Sequence, residues 1–241
     1  MSTTVSGLPT DRPESLTDDI VGMGNFFIDP VGAAQRVFRK WFWLGPLVLI
    51  SIVSTIAIYM RMPLMQHVLE VVPPPANLSP EQFQKNISIA MTIQRISMYL
   101  TPVLTGVFMA IQALILFGMC SVLTVNAKFR PLFNLVAGCS LIQMLAAIAS
   151  LIILKAKGEV STMAELNPPL GLDIFLSEEA NKYLTAIIGF FSLFEIWWAV
   201  MMVLTLSAAF RVSKGKAFAI VLPLLLLGLV FRLTGAMFQR G

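Results

Sequence analysis

The sequence predicts an all-α, polytopic membrane protein with five transmembrane helices, an amino-terminal interfacial helix and a cytoplasmic amino terminus. Hydrophobic residues make up 57% of the 241 residues and charged residues only 12%, whereas soluble domains carry about 25% charged residues. Five apolar stretches are each long enough to cross the ~30 Å hydrocarbon core of a bilayer as a helix. Spans and short connections use up the length, so no sizeable domain outside the membrane is expected.

Residues 1–26 are predicted to form a flexible cytoplasmic tail, because the first twenty residues are polar and lack the basic start and apolar core of a signal peptide. Asp29 and Pro30 predict the start of a short helix, since aspartate can cap free amides and proline suits the first helical position. Apolar residues then recur at helical spacing, which favours a helix lying in the headgroup region. An extension of the first span is the alternative. The apolar set is Val31, Ala34, Val37, Phe38 and Trp41.

The five spans are predicted from apolar runs and from the aromatic residues near their ends. A loop with four prolines follows the first span, and Ser79, Pro80 and Gln82 have the spacing of a capping box that starts the second helix well before its apolar part. Glu195 is the one ionisable acid in the fourth run, and Arg232 lies inside the fifth. The predicted apolar spans are 41–59, 100–123, 131–154, 187–209 and 218–237, and the loop is 61–79.

Loop charges predict the orientation, because Lys and Arg are retained in short cytoplasmic connections. The connections at 126–130 and 211–216 contain five basic residues and no acid, whereas the other two together hold six basic and seven acidic residues. The amino terminus is therefore predicted inside and the carboxyl terminus outside. The longer connection, 155–182, is acidic in balance, and its breaker residues leave room for an amphipathic piece at 170–176.

A candidate intramembrane polar network consists of Glu195, Arg232, Gln112 and Gln143. The two glutamines and Glu195 fall near the middle of their predicted spans, where they serve either as a transport pathway or as interhelical hydrogen bonds. Glu195 and Arg232 each lie about sixteen residues from the short turn between the last two spans, which places them at a similar height and predicts an ion pair. In the alternative, Arg232 reaches the interface and Glu195 bonds to a glutamine.

No catalytic, cofactor-binding or metal-binding residue is predicted. The sequence has no Walker-type or dinucleotide-binding glycine motif, and His67 is the only histidine. Met60, Met62 and Met65 with His67 are donors that suit Cu(I), yet thioethers more often fill gaps in apolar packing. Basic residues lie at the ends of apolar segments rather than on one face, so nucleic acid is not expected as a partner. The expected partners are the lipid bilayer and other membrane proteins or further copies of this chain.

Three segments carry a resemblance to a known family. Residues 27–30 (Phe-Ile-Asp-Pro), 191–197 (Phe-Ser-Leu-Phe-Glu-Ile-Trp) and 213–217 (Ser-Lys-Gly-Lys-Ala), together with five spans, resemble the bacterial branch of the Yip1 family over about residues 25–240. The resemblance implies a five-helix membrane domain at 27–240 in the bacterial cytoplasmic (inner) membrane, and no known reaction. Eukaryotic members act in vesicle traffic and contact Rab-type GTPases, but their Asp-Leu-Tyr-Gly-Pro signature is missing from this sequence.

Two functions are therefore weighed. The first is a non-enzymatic scaffold or interaction role in membrane organisation or trafficking-like processes, which fits the short loops and the lack of a catalytic cluster. The second is an accessory subunit of a transporter, or a small carrier, that uses the polar layer around Glu195.

Overall fold

The computed structural model describes residues 16–71, 79–158, 160, 162, 165–166, 168–176 and 181–238. Regular structure in these residues consists of eight α-helices, a 3₁₀ turn at Leu172–Phe175 and one isolated antiparallel bridge. Five of the helices are long and apolar enough to cross a membrane, as predicted. The α-helices are α1 Leu16–Ile28, α2 Pro30–Arg36, α3 Leu44–Val71, α4 Pro80–Val122, α5 Phe129–Lys157, α6 Lys182–Phe190, α7 Leu193–Phe210 and α8 Lys214–Phe238.

The bundle has two ends that differ in their connections. One end carries residues 37–43, 123–128 and 211–213, and is called the turn end. The other carries the long connection 158–181, the end of α3 and the beginning of α4, and is called the loop end. Since α7 and α8 are joined by three residues, they are antiparallel neighbours in contact, as the sequence indicates.

The central helix is α5. It contacts α3, α4 and α7, and twelve of its 29 residues are buried. Its buried side chains share one core cluster with Leu116 of α4, Met202 and Leu206 of α7 and Ile220 of α8. Burial of such side chains against each other, rather than against lipid, defines which face of each span points inward.

The amino-terminal helices pack against this core. Residues 16–26, which the sequence predicts to be part of a flexible tail, lie in α1, while residues 1–15 are outside the described part of the chain. Phe26 is fully buried and its ring stacks on that of Phe42 at 5.2 Å between centroids. A side chain at Gly138 of α5 would collide with the Phe26 ring. The burial of Phe26 against α5 thus stabilises α1, although the sequence before position 20 is polar.

Helix α2 begins where predicted. The Asp29 carboxylate accepts hydrogen bonds from the amides of Val31 and Gly32, at 3.1 and 2.9 Å, and Pro30 occupies the first helical position. Two of its small residues, Ala33 and Ala34, are buried. These small side chains allow close approach to a neighbouring helix.

That neighbour is α7, and the contacts show how α2 is oriented. Before the start of α2, the backbone carbonyl of Phe27 accepts a hydrogen bond from Trp197 Nε1 of α7 at 2.8 Å. After the end of α2, the Phe38 ring lies edge-on to that of Phe210, also of α7, at 5.9 Å. The two contacts are about 20 Å apart along α7, at 1.5 Å per residue. Helix α2 therefore runs alongside the turn-end half of α7 rather than flat across the bundle, and only Phe38 lies level with the turn end. The prediction that this segment lies in the headgroup region therefore remains for Phe38 alone.

The segment between α2 and α3 is held by a buried amide. Asn134 of α5 is fully buried, and its Nδ2 donates to the carbonyls of Val37 and Arg39 at 2.8 and 2.7 Å. Its Oδ1 accepts from the amide of Trp43 at 3.2 Å. One side chain thereby satisfies three backbone groups of a non-helical turn, as buried polar groups require.

Helix α3 is longer than predicted. The predicted loop 61–79 is wrong over its first eleven residues, because α3 continues through Pro63 to Val71, and 72–78 lie outside the described residues. Packing stabilises the extension: Val68 is fully buried in a small cluster with Leu154 and Leu166. In addition, the Arg61 guanidinium donates to Ser150 Oγ of α5 at 2.7 Å. Tertiary contacts thus offset the hydrogen bond that a helical proline removes.

Helix α4 confirms the predicted capping box. Ser79 Oγ accepts from the Gln82 amide and Gln82 Oε1 accepts from the Ser79 amide, both at 3.2 Å. The helix is 43 residues long, or about 65 Å at 1.5 Å per residue. It has no buried residue before Thr101, and the start of its membrane-spanning part near Leu100 stays a prediction.

Replacement of Asn134 by alanine should lower the free energy of unfolding by about 3 kcal/mol or more, because each buried backbone group left without a partner costs about 1–3 kcal/mol. Thermal unfolding in mild detergent measures the loss. The matched control is Gln84→Ala, which removes an exposed amide from α4 and should change the midpoint very little. Equal effects of the two variants would contradict a structural role for Asn134.

Candidate functional site

The fourth apolar run is interrupted near the loop end. The predicted continuous span 187–209 is wrong, because α6 ends at Phe190 and α7 begins at Leu193. Ser192 has an extended backbone, and its Oγ accepts from the amide of Glu195 at 3.1 Å, which caps α7. Ser192 also forms an antiparallel bridge with Gly171 of the long connection. A serine followed three residues later by a glutamate, before an apolar run, is the signal that predicts this helix start.

The break places Glu195 in the first turn of α7 instead of the middle of a helix. A negative side chain is favoured there, since the first turn carries the positive end of the helix dipole. Its Oε2 accepts from Nε2 of Gln143 on α5 at 2.8 Å. The acid is only partly buried, and the contact links α5 to α7.

A second polar contact lies beside the break. The Arg232 guanidinium of α8 lies 3.7 Å from Oδ2 of Asp173, which belongs to the 3₁₀ turn of the long connection. The Asp173 side chain is 8% exposed and that of Arg232 is 43% exposed. Oδ1 of Asp173 accepts from the amide of Gly171 at 3.1 Å. The connection is therefore attached both to α8 and to the break between α6 and α7.

Gly189 of α6 makes room for this ion pair. A Cβ atom at that position would collide with the Asp173 carboxylate and with the Arg232 guanidinium. A Cβ atom added to Gly171 would lie only 2.9 Å from the carbonyl oxygen of Gly189. Two glycines thus let three backbone segments and an ion pair approach closely.

The predicted pairing of Arg232 with Glu195 needs correction. Among the described residues, the carboxylate within ion-pair distance of Arg232 is that of Asp173, because the long connection brings this acid to α8. Glu195 instead bonds to Gln143, as in the alternative from the sequence. Gln112 of α4 does not join them: its buried Oε1 has no hydrogen-bond partner among the described residues.

Asp173 is the site residue that the sequence analysis misses. It counts there only as one of several loop acids, because its partner lies on another element far along the chain. No local spacing connects the two. The prediction of an amphipathic piece at 170–176 does identify the right segment, since the 3₁₀ turn lies within it.

Metal ligands are not gathered in the described residues. No group of three or more His, Cys, Asp or Glu side chains lies close enough to hold a metal ion there. The four candidate copper donors all lie in α3, and at about 100° per residue Met60 and His67 fall on one side of the helix while Met62 and Met65 fall on the other. A shared copper ion does not fit that arrangement.

The fold and this site define a class of protein. A bundle with five membrane-crossing helices, a broken fourth span and polar side chains bonded to one another is a polytopic integral membrane protein. A family model described as Yip1 domain matches residues 24–233. The chain therefore belongs to the Yip1 domain family. Comparison with curated proteins finds no match, and neither does comparison with solved structures.

Asp173 and Arg232 should show coupled effects on stability. Asp173→Asn or Arg232→Gln alone leaves a charged partner at the break, whereas the double variant removes both charges. Because Arg232 is 43% exposed, the expected coupling is about 1–2 kcal/mol, below the ~3–5 kcal/mol cost of breaking a fully buried pair. Unfolding of the four proteins in mild detergent measures this coupling.

The pair Lys157 and Glu165 supplies the control. Its atoms lie 3.2 Å apart with side chains 48% and 31% exposed, so its coupling should stay below about 1 kcal/mol. Simple addition of the Asp173 and Arg232 losses would show that the two residues do not act as partners.

Proposed function

We propose that this chain is a non-enzymatic integral membrane protein that organises membrane or partner proteins by associating with a second copy of itself through α4. The observation that carries the proposal is an exposed apolar seam along that helix. The polar side chains at the helix break are consistent with it, because they are engaged in holding α5, α7, α8 and the long connection together.

Helix α4 is longer than a membrane requires. Residues 100–122 supply about 35 Å at 1.5 Å per residue, enough for a hydrocarbon core of about 30 Å. The first twenty residues of the 43-residue helix then extend about 30 Å beyond it. Apolar side chains exposed in that part face water unless another chain covers them.

These side chains follow a coiled-coil period. Ile89, Ile93, Ile96 and Leu100 are 48%, 58%, 52% and 45% exposed, and they are spaced by four, three and four residues. The same alternation continues into the apolar part through Val103 and Val107, which are 63% and 49% exposed. A spacing of 3.5 residues is the period at which two helices keep one seam in contact. These six residues are called the α4 seam.

A second copy suits the α4 seam because of membrane topology. Two copies inserted with the same orientation present parallel α4 helices, so each seam position meets its own counterpart. Asn86 lies seven residues before Ile93 and is exposed, which puts an asparagine at the equivalent position of the preceding heptad. An Asn pair at such a position favours two parallel strands in one register.

The cellular setting is part of the same proposal. We assign the chain to the bacterial cytoplasmic membrane because it resembles the bacterial branch of the family, and we place the amino terminus and the two basic turns inside on the basis of loop charge. The interaction role would serve membrane organisation or trafficking-like processes. The orientation is checked by adding an impermeant thiol reagent outside cells that carry an Ala127→Cys variant. No labelling is expected, because position 127 lies in a connection predicted to be inside.

Disulfide cross-linking in native membranes tests the α4 seam. An Ile96→Cys variant should form a covalent dimer on mild oxidation, because seam positions of parallel helices face each other. The matched control is Arg95→Cys, an exposed neighbour about 100° away on the helix, which should remain monomeric. Native Cys120 and Cys139 are buried. Equal cross-linking at both positions, or none at position 96, would contradict pairing through this seam.

A second candidate function rests on the helix break. Discontinuous membrane helices in transporters place free helix termini and acids along substrate pathways, and here α7 begins with Ser192 and Glu195 beside Gln143. An accessory subunit of a transporter or a small carrier would use this group. The bond between Glu195 and Gln143 is equally explained as an interhelical hydrogen bond, and such a bond contributes about 1 kcal/mol.

Proton flux separates the two candidates. Purified protein in liposomes with an imposed pH gradient should give no more flux than empty liposomes if the role is a scaffold. A flux that Glu195→Gln abolishes, while Gln84→Ala preserves it, would establish the carrier function instead.

A further inference from the structure

A cavity opens at the turn end of the bundle. Its volume is about 420 Å³, within the range of about 300–1,000 Å³ for small-molecule sites. It is open to the outside, and three parts of the chain line it: the α4–α5 connection with Asn126 and Lys128, the α7–α8 turn with Arg211, and the aromatic side chains of Phe38 and Phe210. It lies far from the helix break, so it is a separate site.

The polar wall of the cavity is cationic. Lys128 and Arg211 form no ion pair within the described residues, and the connections 126–130 and 211–216 contain five basic residues and no acid. Two cations at the rim of one cavity attract an anion. Guanidinium groups in particular match phosphate geometry with two hydrogen bonds.

The start of α5 adds a favourable dipole. Lys128 is the N-cap residue of this 29-residue helix, and its side chain makes no capping hydrogen bond. Lys128 and Pro131 line the cavity, so the positive end of the helix dipole lies beside it. A long helix that begins at a cavity with two cations provides the positive dipole end that phosphate groups bind.

The backbone of Arg211 ends α7 at the cavity. Its φ of 53° and ψ of 42° put it in the left-handed region at the C-cap of α7, where glycine or asparagine is usual. The residue is exposed and lines the cavity.

The other wall is apolar. Phe38 is 54% exposed and lies edge-on to Phe210 at 5.9 Å, and Ala209 and Pro131 continue this surface. An apolar wall beside a cationic one, level with the end of the membrane spans, fits a molecule with a phosphate and an adjoining apolar part. We propose that this cavity binds the phosphate ester of an anionic phospholipid headgroup, with Lys128 and Arg211 holding the phosphate and Phe38 facing the glycerol and upper acyl region.

Lipid titration of the full-length protein tests the site. Thermal unfolding in a neutral detergent is followed while phosphatidylglycerol, phosphatidylcholine or glycerol phosphate is added. Phosphatidylglycerol should raise the melting temperature more than phosphatidylcholine does. The Lys128→Gln, Arg211→Gln double variant should bind phosphatidylglycerol more weakly. Its half-saturating concentration should rise about thirty-fold, which corresponds to about 2 kcal/mol.

Two controls make the outcome decisive. Arg95→Gln removes an exposed cation from the loop-end part of α4 and should leave the phosphatidylglycerol effect unchanged, and Arg211→Lys should retain most of it because the charge remains. A glycerol phosphate effect equal to that of the lipid, and lost in the same double variant, would assign the site to soluble phosphate esters. An effect of the same size in wild type, the double variant and Arg95→Gln would overturn the site.

Discussion

The turn between α2 and α3 depends on one buried amide. Asn134 gives partners to the carbonyls of Val37 and Arg39 and to the amide of Trp43, groups that no helix can satisfy at this place. Without these bonds, each of the three backbone groups that is shielded from water would lose about 1–3 kcal/mol of stabilisation. Because the turn lies between α2, which packs on α7, and α3, this single side chain helps to fix how the amino-terminal helices join the bundle.

Elements whose signals are local were predictable from the sequence. The Ser79 and Gln82 box and the Asp29 cap act within one helical turn, and apolar runs of sufficient length identify all five spans. The extension of α3 past Pro63 was not predictable, because the stabilising contacts come from Leu154 and Leu166. Helix α1 was missed for the same reason: its anchor is a ring that lies over a glycine in a distant helix.

The candidate polar site was predictable in part. Glu195 and Gln143 stand out as polar groups in apolar runs, and they do form a contact. The error over Arg232 has a physical origin: heights counted along helices assume uninterrupted spans and ignore connections that fold back. A break at Ser192 and a connection that delivers Asp173 change the nearest acid. The cavity at the turn end is also lined by three separated connections, so no single stretch of sequence predicts it.

The attachment of the long connection makes its docked position depend on α8. The Asp173 side chain is almost fully covered, and its cationic partner lies on α8. Without α8, docking this connection over the break would leave a covered carboxylate without its cation. The docked connection therefore requires a helix that follows it in the chain.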